Sequence, residues 1–520
     1  MPQLKLQVGV RVMNAQTIDD LIKKGRDDDT AITGSGQTPL NYGDLRRLVN
    51  RTVSSLRKMG INRNDRVAIV LPNGPEMATT FISVAAGATA APLNPNYRSE
   101  EFSFYLQDLN ARVLLVEKGS DSEAIHVAKS LDVPVHEIWV DEEAPAGMFS
   151  ISGFEDETEN QLLKGKDYAA SSDVALVLHT SGTTSRPKIV PLTQQNICNS
   201  AQNISSSLDL SVEDRCLNIM PLFHIHGLIA AVLSTVAAGA SIYCSSGFNA
   251  LQIFKWFSSV EPTWFTAVPT MHQAILSRAN RNLDILEKMK LRLIRSSSSS
   301  LAPQVMAQLE ETFHCPVIEA YGMTEAAHQM ASNPLPPSIR KPGSVGLAAG
   351  PEIRIMDHKG DFLTFGTEGE IVIRGSNVTS GYENNPTANS EAFVNGWFRT
   401  GDQGVLDGDG YLSITGRLKE IINRGGEKIS PREVDEVLLD HPLVDQVVTF
   451  GFPHKKLGEE VGVAIVLDEG AEINENEIRN FVSERLSDFK VPRKVVFIDE
   501  IPKGATGKMQ RIGLHKKLGL

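Results

Sequence analysis

Cysteine is scarce in this sequence, and the cysteines that occur follow no recognisable pattern. The 520 residues include only 4 cysteines, scattered at positions 198, 216, 244 and 315, with no Cys-x-x-Cys among them. This scatter argues against a disulfide framework and offers no zinc-binding spacing. It fits a protein that works in a reducing compartment.

Long apolar runs and targeting signals are also missing. No uninterrupted apolar run is long enough to span a bilayer. The N-terminal Met-Pro-Gln-Leu-Lys-Leu has no apolar core of the kind that a secretory signal carries. The last three residues, Leu-Gly-Leu, are not a Ser-Lys-Leu peroxisomal signal. We therefore expect a cytoplasmic protein.

Positive charge is in deficit. The chain has 51 Lys and Arg against 63 Asp and Glu, a net charge of −12, and no long basic run. Such a chain is a poor candidate for binding nucleic acid or anionic membranes. We expect small-molecule partners, and the composition leaves the oligomeric state open between monomer and dimer.

Helical and strand-like patterns alternate along the first part of the chain. Helical spacing over 41–59 is followed by a strand over 66–71, a helix over 75–86, a helix over 100–109 and a strand over 112–116. Further apolar strands are predicted at 174–178, 264–268, 291–294 and 317–320. This alternation predicts an α/β fold with mostly parallel sheets. The last hundred residues have a compact α+β pattern typical of a small separate domain.

The segment from His179 to Pro191 is rich in hydroxyl groups. It follows a predicted strand and precedes Thr193, a suitable N-cap for a helix, so the sequence predicts a strand–loop–helix connection. Hydroxyl donors, a glycine that allows close approach and a lysine charge suit a polyphosphate. These residues are Thr180, Ser181, Gly182, Thr183, Thr184, Ser185 and Lys188. The segment is not a Walker loop, because Pro187 precedes the lysine. The simpler alternative is a Ser/Thr-rich surface turn.

Three further positions carry candidate chemistry, each with a simpler alternative. Glu325, in the run Tyr-Gly-Met-Thr-Glu, could ligate Mg²⁺ on a phosphate or could merely lie near a helix start. Asp402, in a predicted Gly-Asp turn, could bind ribose hydroxyls or simply form the turn. Lys508 lies in a Gly-containing loop and could be a solvated charge.

In this order and spacing, the motifs resemble those of the adenylate-forming superfamily, which includes acyl-CoA synthetases, luciferase-like enzymes and peptide-synthetase adenylation domains. The matching stretches are 180–188, 221–227 (Pro-Leu-Phe-His-Ile-His-Gly), 321–325, 397–402, 416–420, 423–429 and 507–508. The resemblance implies a large N-terminal AMP-binding domain over 1–418, with a small β-barrel-like subdomain. It also implies a small mobile C-terminal domain over 419–520 that turns at a hinge, Lys419.

The resemblance further implies two half-reactions. A carboxylate attacks the α-phosphate of ATP–Mg²⁺ to give an acyl-adenylate, and the coenzyme A thiol then displaces AMP. The implied catalytic residues are Lys508, Thr183 and Glu325, with Glu325 also holding the metal. The implied ATP-binding residues are Thr180, Ser181, Gly182, Thr183, Thr184, Lys188, Glu319, Ala320, Tyr321, Gly322, Thr324, Asp402, Ile414, Arg417 and Lys508. Arg424, Gly425 and Gly426 would lie beside CoA.

Within the superfamily, the chain closely resembles the oxalyl-CoA synthetases of plants and fungi. The stretches that carry this similarity are 178–188, 332–336 and 423–431. The candidate acid-binding residues are polar: His224, Ser297, Ser298, Ser299 and His328. Imidazoles and hydroxyls suit a two-carbon dianion, whereas a fatty or aromatic acid would favour apolar walls.

Three alternatives stay open at this point. The first is a medium-chain or aromatic, 4-coumarate-like acyl-CoA ligase. The second is a stand-alone adenylation enzyme that loads a carrier protein. The third, from another class, is a non-catalytic nucleotide or acyl binder.

Overall fold

The structure is a computed structural model that describes residues 15–141, 143–154, 167–180, 187–468, 470–502 and 509–520. Residues 181–186 of the predicted phosphate loop and the motif at 507–508, which contains Lys508, lie outside the described residues. Among the described residues, no helix is both long enough and apolar enough to cross a membrane.

The strands fall into four groups along the chain. Up to residue 193 they are β1 (Thr30–Thr33), β2 (Leu40–Asn41), β3 (Arg66–Val70), β4 (Thr89–Pro92), β5 (Val113–Glu117), β6 (Val135–Trp139), β7 (Ser150–Ile151), β8 (Val174–His179) and β9 (Ile189–Thr193). Next come β10 (Arg215–Asn218), β11 (Ser241–Cys244), β12 (Trp264–Ala267), β13 (Leu293–Ser296), β14 (Val317–Met323), β15 (His328–Ser332) and β16 (Leu347–Ala348). The third group is β17 (Glu352–Met356), β18 (Gly369–Arg374), β19 (Phe393–Val394), β20 (Trp397–Leu406) and β21 (Leu412–Arg417). The last is β22 (Ile422–Arg424), β23 (Glu427–Ile429), β24 (Val444–His454), β25 (Gly458–Leu467) and β26 (Lys494–Phe497).

Helices connect and cover the strands. They are α1 (Ile18–Ile22), α2 (Tyr42–Lys58), α3 (Pro75–Ala85), α4 (Ser99–Asp108), α5 (Glu123–Ser130), α6 (Gln194–Ser207), α7 (Ser234–Ala237), α8 (Ile253–Val260), α9 (Pro269–Ala279), α10 (Leu283–Leu286), α11 (Pro303–Phe313), α12 (Pro386–Ala392), α13 (Pro431–Leu439), α14 (Glu475–Ser483) and α15 (Leu514–Lys517). A π-helix spans His226–Leu233, and 3-10 turns span Thr324–Ala326 and Asp488–Lys490.

Two large sheets form the body of the chain. One has the order β16-β15-β14-β13-β12-β10-β11-β1-β2, and the other has the order β7-β6-β5-β3-β4-β8-β9. Their inner strands are parallel and their outer strands antiparallel. Apolar residues cover both faces, as parallel sheets require. The predicted α/β class with mostly parallel sheets is confirmed.

Two smaller sheets follow. The predicted small β subdomain corresponds to an antiparallel sheet, β17-β18-β20-β19, in which β21 also pairs with β20. The C-terminal sheet has the order β23-β22-β25-β24, with β26 beside β25. Residues between 422 and 495 share an apolar core of their own. The domain boundary at 418 and 419 stays a prediction.

Several local predictions need correction. The loop after β8 leads first into β9, which pairs with β8 as an antiparallel hairpin, rather than directly into α6. Pro191 is tolerated there because β9 is an edge strand. β13 extends to Ser296 rather than ending at residue 294, so the serine run of residues 296–300 begins inside a strand.

Candidate functional site

The end of β14 and the start of β15 form the centre of the candidate site. A Cβ atom at Gly322 would lie 1.9 Å from the carbonyl oxygen of His328, so only glycine allows the two strands to approach this closely. Tyr321 and Gly322 belong to β14 itself rather than to a turn after it. Thr324 and Glu325 follow in the 3-10 turn, and His328 begins β15.

One polar group joins β14, β20 and β21. The Tyr321 hydroxyl donates to Asp402 Oδ2, and Arg417 Nε donates to Asp402 Oδ1 at 2.8 Å. Asp402 also pairs with Arg417 in the strand register. The neighbouring carboxylate raises the pKa of the Arg417 guanidinium. The structure thus brings together three residues that the sequence assigned to ATP.

The predicted Gly-Asp turn is wrong, because Gly401 and Asp402 lie inside β20. Three residues of β20, 400–402, oppose Ile371 alone in β18, which makes a bulge. Gly401 has a φ of 75°, a backbone conformation that glycine adopts readily. The bulge is stabilised by Thr400 Oγ1, which donates to Ile371 O and accepts from Asp402 N.

A second polar group surrounds Glu325. This carboxylate is buried, and its Oε1 accepts a hydrogen bond of 2.8 Å from the hydroxyl of Tyr382. Burial raises the pKa of Glu325, while the Tyr382 hydroxyl and the charges of Arg417 and Lys188 oppose the rise. The Lys188 Nζ atom lies 4.4 Å from the centre of the Tyr382 ring. Sequence reasoning missed Tyr382, which no motif singled out.

Lys188 is held at the base of the β8–β9 hairpin. The backbone N–H of Thr180 donates to the Lys188 carbonyl at 2.9 Å, and the Thr180 hydroxyl accepts from the Lys188 N–H at 3.2 Å. The two ends of the hydroxyl-rich loop are therefore closed together, and they present the Lys188 side chain toward Glu325 and Tyr382.

The donor set around Glu325 fits a magnesium ion that arrives with a phosphate. Among residues whose placement the structure describes, no cluster of three or more His, Cys, Asp or Glu could by itself hold a metal. Mg²⁺ typically uses one or two carboxylates together with substrate phosphates. The single buried carboxylate of Glu325 near Lys188 matches that requirement, because the phosphates would supply the other oxygen ligands.

A third polar group lies beneath the serine run. His226 is fully buried at the start of the π-helix, an element often found at functional sites. Its Nδ1 atom lies 3.0 Å from the Ser298 hydroxyl, and its Nε2 atom lies 2.7 Å from the Thr266 hydroxyl. The His328 ring packs against it at 5.0 Å between ring centres. Ser298 and His328 have positive φ values of 74° and 93°.

These contacts refine the predicted acid-binding set. Ser298 and His328 both lie beside His226. His226, which the sequence analysis did not select, contacts both of them, and the His226 N–H donates a long hydrogen bond of 3.5 Å to His224 Nδ1. Ser297 is buried and donates to the Ala320 carbonyl, and Ser299 is exposed. The signal in the sequence that could have identified His226 is the run Phe-His-Ile-His at 223–226, which places a second histidine two residues after His224.

The remaining residues predicted for ATP lie around β14 and β21. Glu319 is buried, and burial raises its pKa to about 7 against the opposing charge of Arg432. The Ala320 carbonyl accepts a hydrogen bond of 2.8 Å from the Ser297 hydroxyl. The Ile414 carbonyl accepts from Arg432 Nη1 at 2.6 Å. Arg432 therefore links this region to α13.

The residues predicted for CoA lie on the β22–β23 hairpin. Gly425 and Gly426 form its turn, with φ values of 62° and 102°. Arg424 is ion-paired with Glu460, which is buried. The predicted hinge residue, Lys419, is exposed in the turn that connects β21 to β22.

Comparison with known proteins identifies the family of the chain. Residues 21–383 match the AMP-binding enzyme family, and residues 433–508 match the AMP-binding enzyme C-terminal domain. The chain is 45% identical to a probable CoA ligase of Humulus lupulus over 505 residues, 96% of each chain. It is 44% identical to the oxalate–CoA ligase of Arabidopsis thaliana, covering 96% of this chain and 98% of the relative. ATP-bound MatB from Rhodopseudomonas palustris has a similar structure, with a TM-score of 0.85 at 26% identity, covering 96% and 98% of the two chains. The chain therefore belongs to the AMP-binding enzyme family.

Proposed function

We propose that this chain is an oxalate–CoA ligase, which converts oxalate, ATP and CoA into oxalyl-CoA, AMP and pyrophosphate. The observation that carries the proposal is the polar cluster of His226, His328 and Ser298 next to β14. A two-carbon dianion is bound by hydroxyl and imidazole donors and needs little apolar volume. The 44% identity to an oxalate–CoA ligase supports the same substrate.

The chemistry begins with a carboxylate, which is a poor electrophile until it carries a good leaving group. One oxalate oxygen attacks the α-phosphorus of ATP, and the bond to pyrophosphate breaks. The CoA sulfur then attacks the acyl carbon of the oxalyl-adenylate, the thiol proton is lost to solvent, and AMP leaves. Most of the catalysis in such a phosphorus transfer comes from positioning and charge neutralisation.

Three groups of residues would divide this work. Thr180, Lys188 and the hydroxyl-rich loop would hold the β- and γ-phosphates, with Thr183 among the loop residues. Asp402 and Arg417 would hold the ribose. A magnesium ion, when bound with ATP, would neutralise phosphate charge, and Glu325 would hold it.

The C-terminal residues would contribute different groups to the two half-reactions. Lys508 would bridge the attacking carboxylate and the α-phosphate during adenylation. The C-terminal residues would then turn at Lys419, withdraw Lys508 and bring Gly425 and Gly426 beside the pantetheine arm. Two glycines at a hairpin turn leave room for that arm because they carry no side chain.

The test is CoA-dependent AMP formation with oxalate, malonate, octanoate and 4-coumarate, each at saturating ATP and Mg²⁺. We expect oxalate to give the highest kcat/KM by at least tenfold. A higher value for octanoate or 4-coumarate would contradict the substrate and leave the ligase reaction standing. Formation of AMP without any dependence on CoA would instead favour a carrier-loading enzyme.

A further inference from the structure

The proposed acid site has a buried, uncompensated cation directly behind it. Arg295 lies in β13 and is fully buried. Within the described part of the chain it forms no ion pair, its two hydrogen bonds go to the neutral side chains of Thr266 and Gln329, and its Nε atom has no hydrogen-bond partner. Burial lowers the pKa of Arg295 to about 9, so the group is still charged at neutral pH. A buried charge without a counter-ion is costly and rare.

The position of Arg295 follows from the sheet register. Thr266 of β12 and Arg295 of β13 are direct neighbours in parallel strands, so their side chains lie on the same face. Arg295 Nη1 lies 3.4 Å from the Thr266 hydroxyl oxygen, and Arg295 Nη2 lies 3.2 Å from Gln329 Oε1. The Gln329 amide is oriented by Ser207 and Ala349, to which its Nε2 donates.

One arrangement of the hydroxyl and imidazole protons gives these contacts the form of a directed chain of hydrogen bonds. A guanidinium can only donate, so the Thr266 oxygen accepts from Arg295 and its own proton is available for His226 Nε2. A neutral imidazole that accepts at Nε2 carries its proton at Nδ1, which then points at the Ser298 oxygen. Ser298 in turn has its hydroxyl proton to offer outward. Its positive φ of 74° is a strained conformation of the kind found at ligand sites.

We propose that Arg295 is a positioning residue for the second carboxylate of a dicarboxylate substrate, which it selects through Thr266, His226 and Ser298 and by its own positive charge. The inference rests on the proposed function, which supplies oxalate as the substrate. The two hydrogen-bond partners of Arg295, Thr266 and Gln329, are neutral side chains. The residues that the structure describes therefore supply no negative charge to balance Arg295, whereas a dianionic acid bound at the site would bring one.

The experiment compares oxalate with oxamate, which has the same skeleton but a neutral amide in place of one carboxylate. ATP–pyrophosphate exchange is measured with each acid for the wild-type protein and Arg295→Gln. We expect the oxalate-to-oxamate ratio of kcat/KM to fall about 30-fold, the range expected for losing a charge-assisted hydrogen bond. The KM for ATP should change less than about twofold. An unchanged oxalate-to-oxamate ratio, whether kcat/KM falls equally with both acids or does not fall at all, would overturn the inference.

Thr266→Val keeps the test decisive if Arg295→Gln folds poorly, because it preserves volume and leaves the guanidinium in place. We expect it also to lower the ratio, whereas Thr266→Ser, which keeps the hydroxyl, should retain it. A wild-type ratio in Thr266→Val would contradict the chain of hydrogen bonds through Thr266.

Arg295→Lys should recover part of the ratio lost in Arg295→Gln, because it restores the positive charge. A Lys variant with a ratio no higher than that of the Gln variant would contradict the role of the charge. If the wild-type protein does not turn over oxalate at all, the proposed function fails, independently of these variants.

Discussion

The hydroxyl of Tyr382 donates to Glu325 Oε1 at 2.8 Å, and the face of the same ring lies 4.4 Å from Lys188 Nζ. One aromatic side chain therefore contacts both the carboxylate proposed for magnesium and the lysine proposed for phosphate. Because the hydroxyl favours the ionised form of Glu325 and burial opposes it, the charge of this carboxylate depends on Tyr382.

Tyr382→Phe removes that hydroxyl and leaves the ring. The pKa of Glu325, already raised by burial, should rise further, since an interaction that lowers it is lost. The acidic limb of the pH profile of kcat/KM for ATP–Mg²⁺ should therefore move to higher pH, with a loss of about tenfold near neutral pH. Tyr411→Phe is the matched control, because the Tyr411 hydroxyl donates to the Ile339 carbonyl, outside the site. A Tyr382→Phe profile that coincides with the wild-type profile would count against this role of Tyr382.

Lys508→Ala should abolish adenylation and preserve nucleotide binding. A unit charge about 4 Å from the developing negative charge is worth on the order of 4 kcal/mol at an effective dielectric of about 20, which corresponds to a rate factor of hundreds or more. The measurements are ATP–pyrophosphate exchange and calorimetric ATP binding. Lys503→Ala, in the same segment, is the control and should retain exchange. Equal losses in both variants would point to a general effect of the segment and not to a catalytic lysine.

Glu319→Gln should change how stability depends on pH. The folded-state pKa of about 7 exceeds the ordinary value of 4.5, so the folded chain binds a proton that the unfolded chain has already lost. The contribution to stability is therefore largest at low pH, falls as the pH rises from 4.5 to 7, and is lost above that range. The full loss is roughly 3 kcal/mol.

Urea unfolding at pH 5 and pH 8 tests this expectation. The free energy of unfolding of Glu319→Gln should exceed that of the wild-type protein at pH 8 by up to about 3 kcal/mol, and the difference should shrink at pH 5. Glu311→Gln, at an exposed position, should follow the wild-type protein at both values. A difference that is the same at pH 5 and pH 8 would rule out a titrating Glu319.

Gly322→Ala should destabilise the protein and impair acid binding together. The new Cβ atom would lie 1.9 Å from the His328 carbonyl oxygen, which forces β14 and β15 apart and moves His328. We expect the free energy of unfolding to fall by about 3 kcal/mol or more. Gly408→Ala is the control, since a Cβ there meets nothing within 4 Å. A Gly322→Ala variant with wild-type stability and a wild-type KM for oxalate would contradict the proposed contact.

Local sequence patterns predicted most helices and strands, because the residues that form such an element lie close together in the sequence. The apolar spacing over 41–59 became α2, and Thr193 caps α6 in a reciprocal pair with Asn196. The hairpin of β8 and β9 was missed, since its pairing joins residues on both sides of a loop and leaves no local pattern in the sequence. The bulge at Gly401 was predicted as a turn, because the same residue types suit both structures.

The family and the reaction it performs were determined by the sequence alone, because the phosphate-loop, Tyr-Gly-Met-Thr-Glu and Gly-Asp motifs carry their chemistry in short runs of residues. The surroundings of those motifs were decided only by the tertiary structure. His226 meets Ser298 across 72 residues of sequence, Tyr382 meets Glu325 across 57, and Arg295 meets Thr266 across 29. These contacts arise from strand register and from the approach of β14 to β15, and both depend on the packing of the whole sheet rather than on any local pattern.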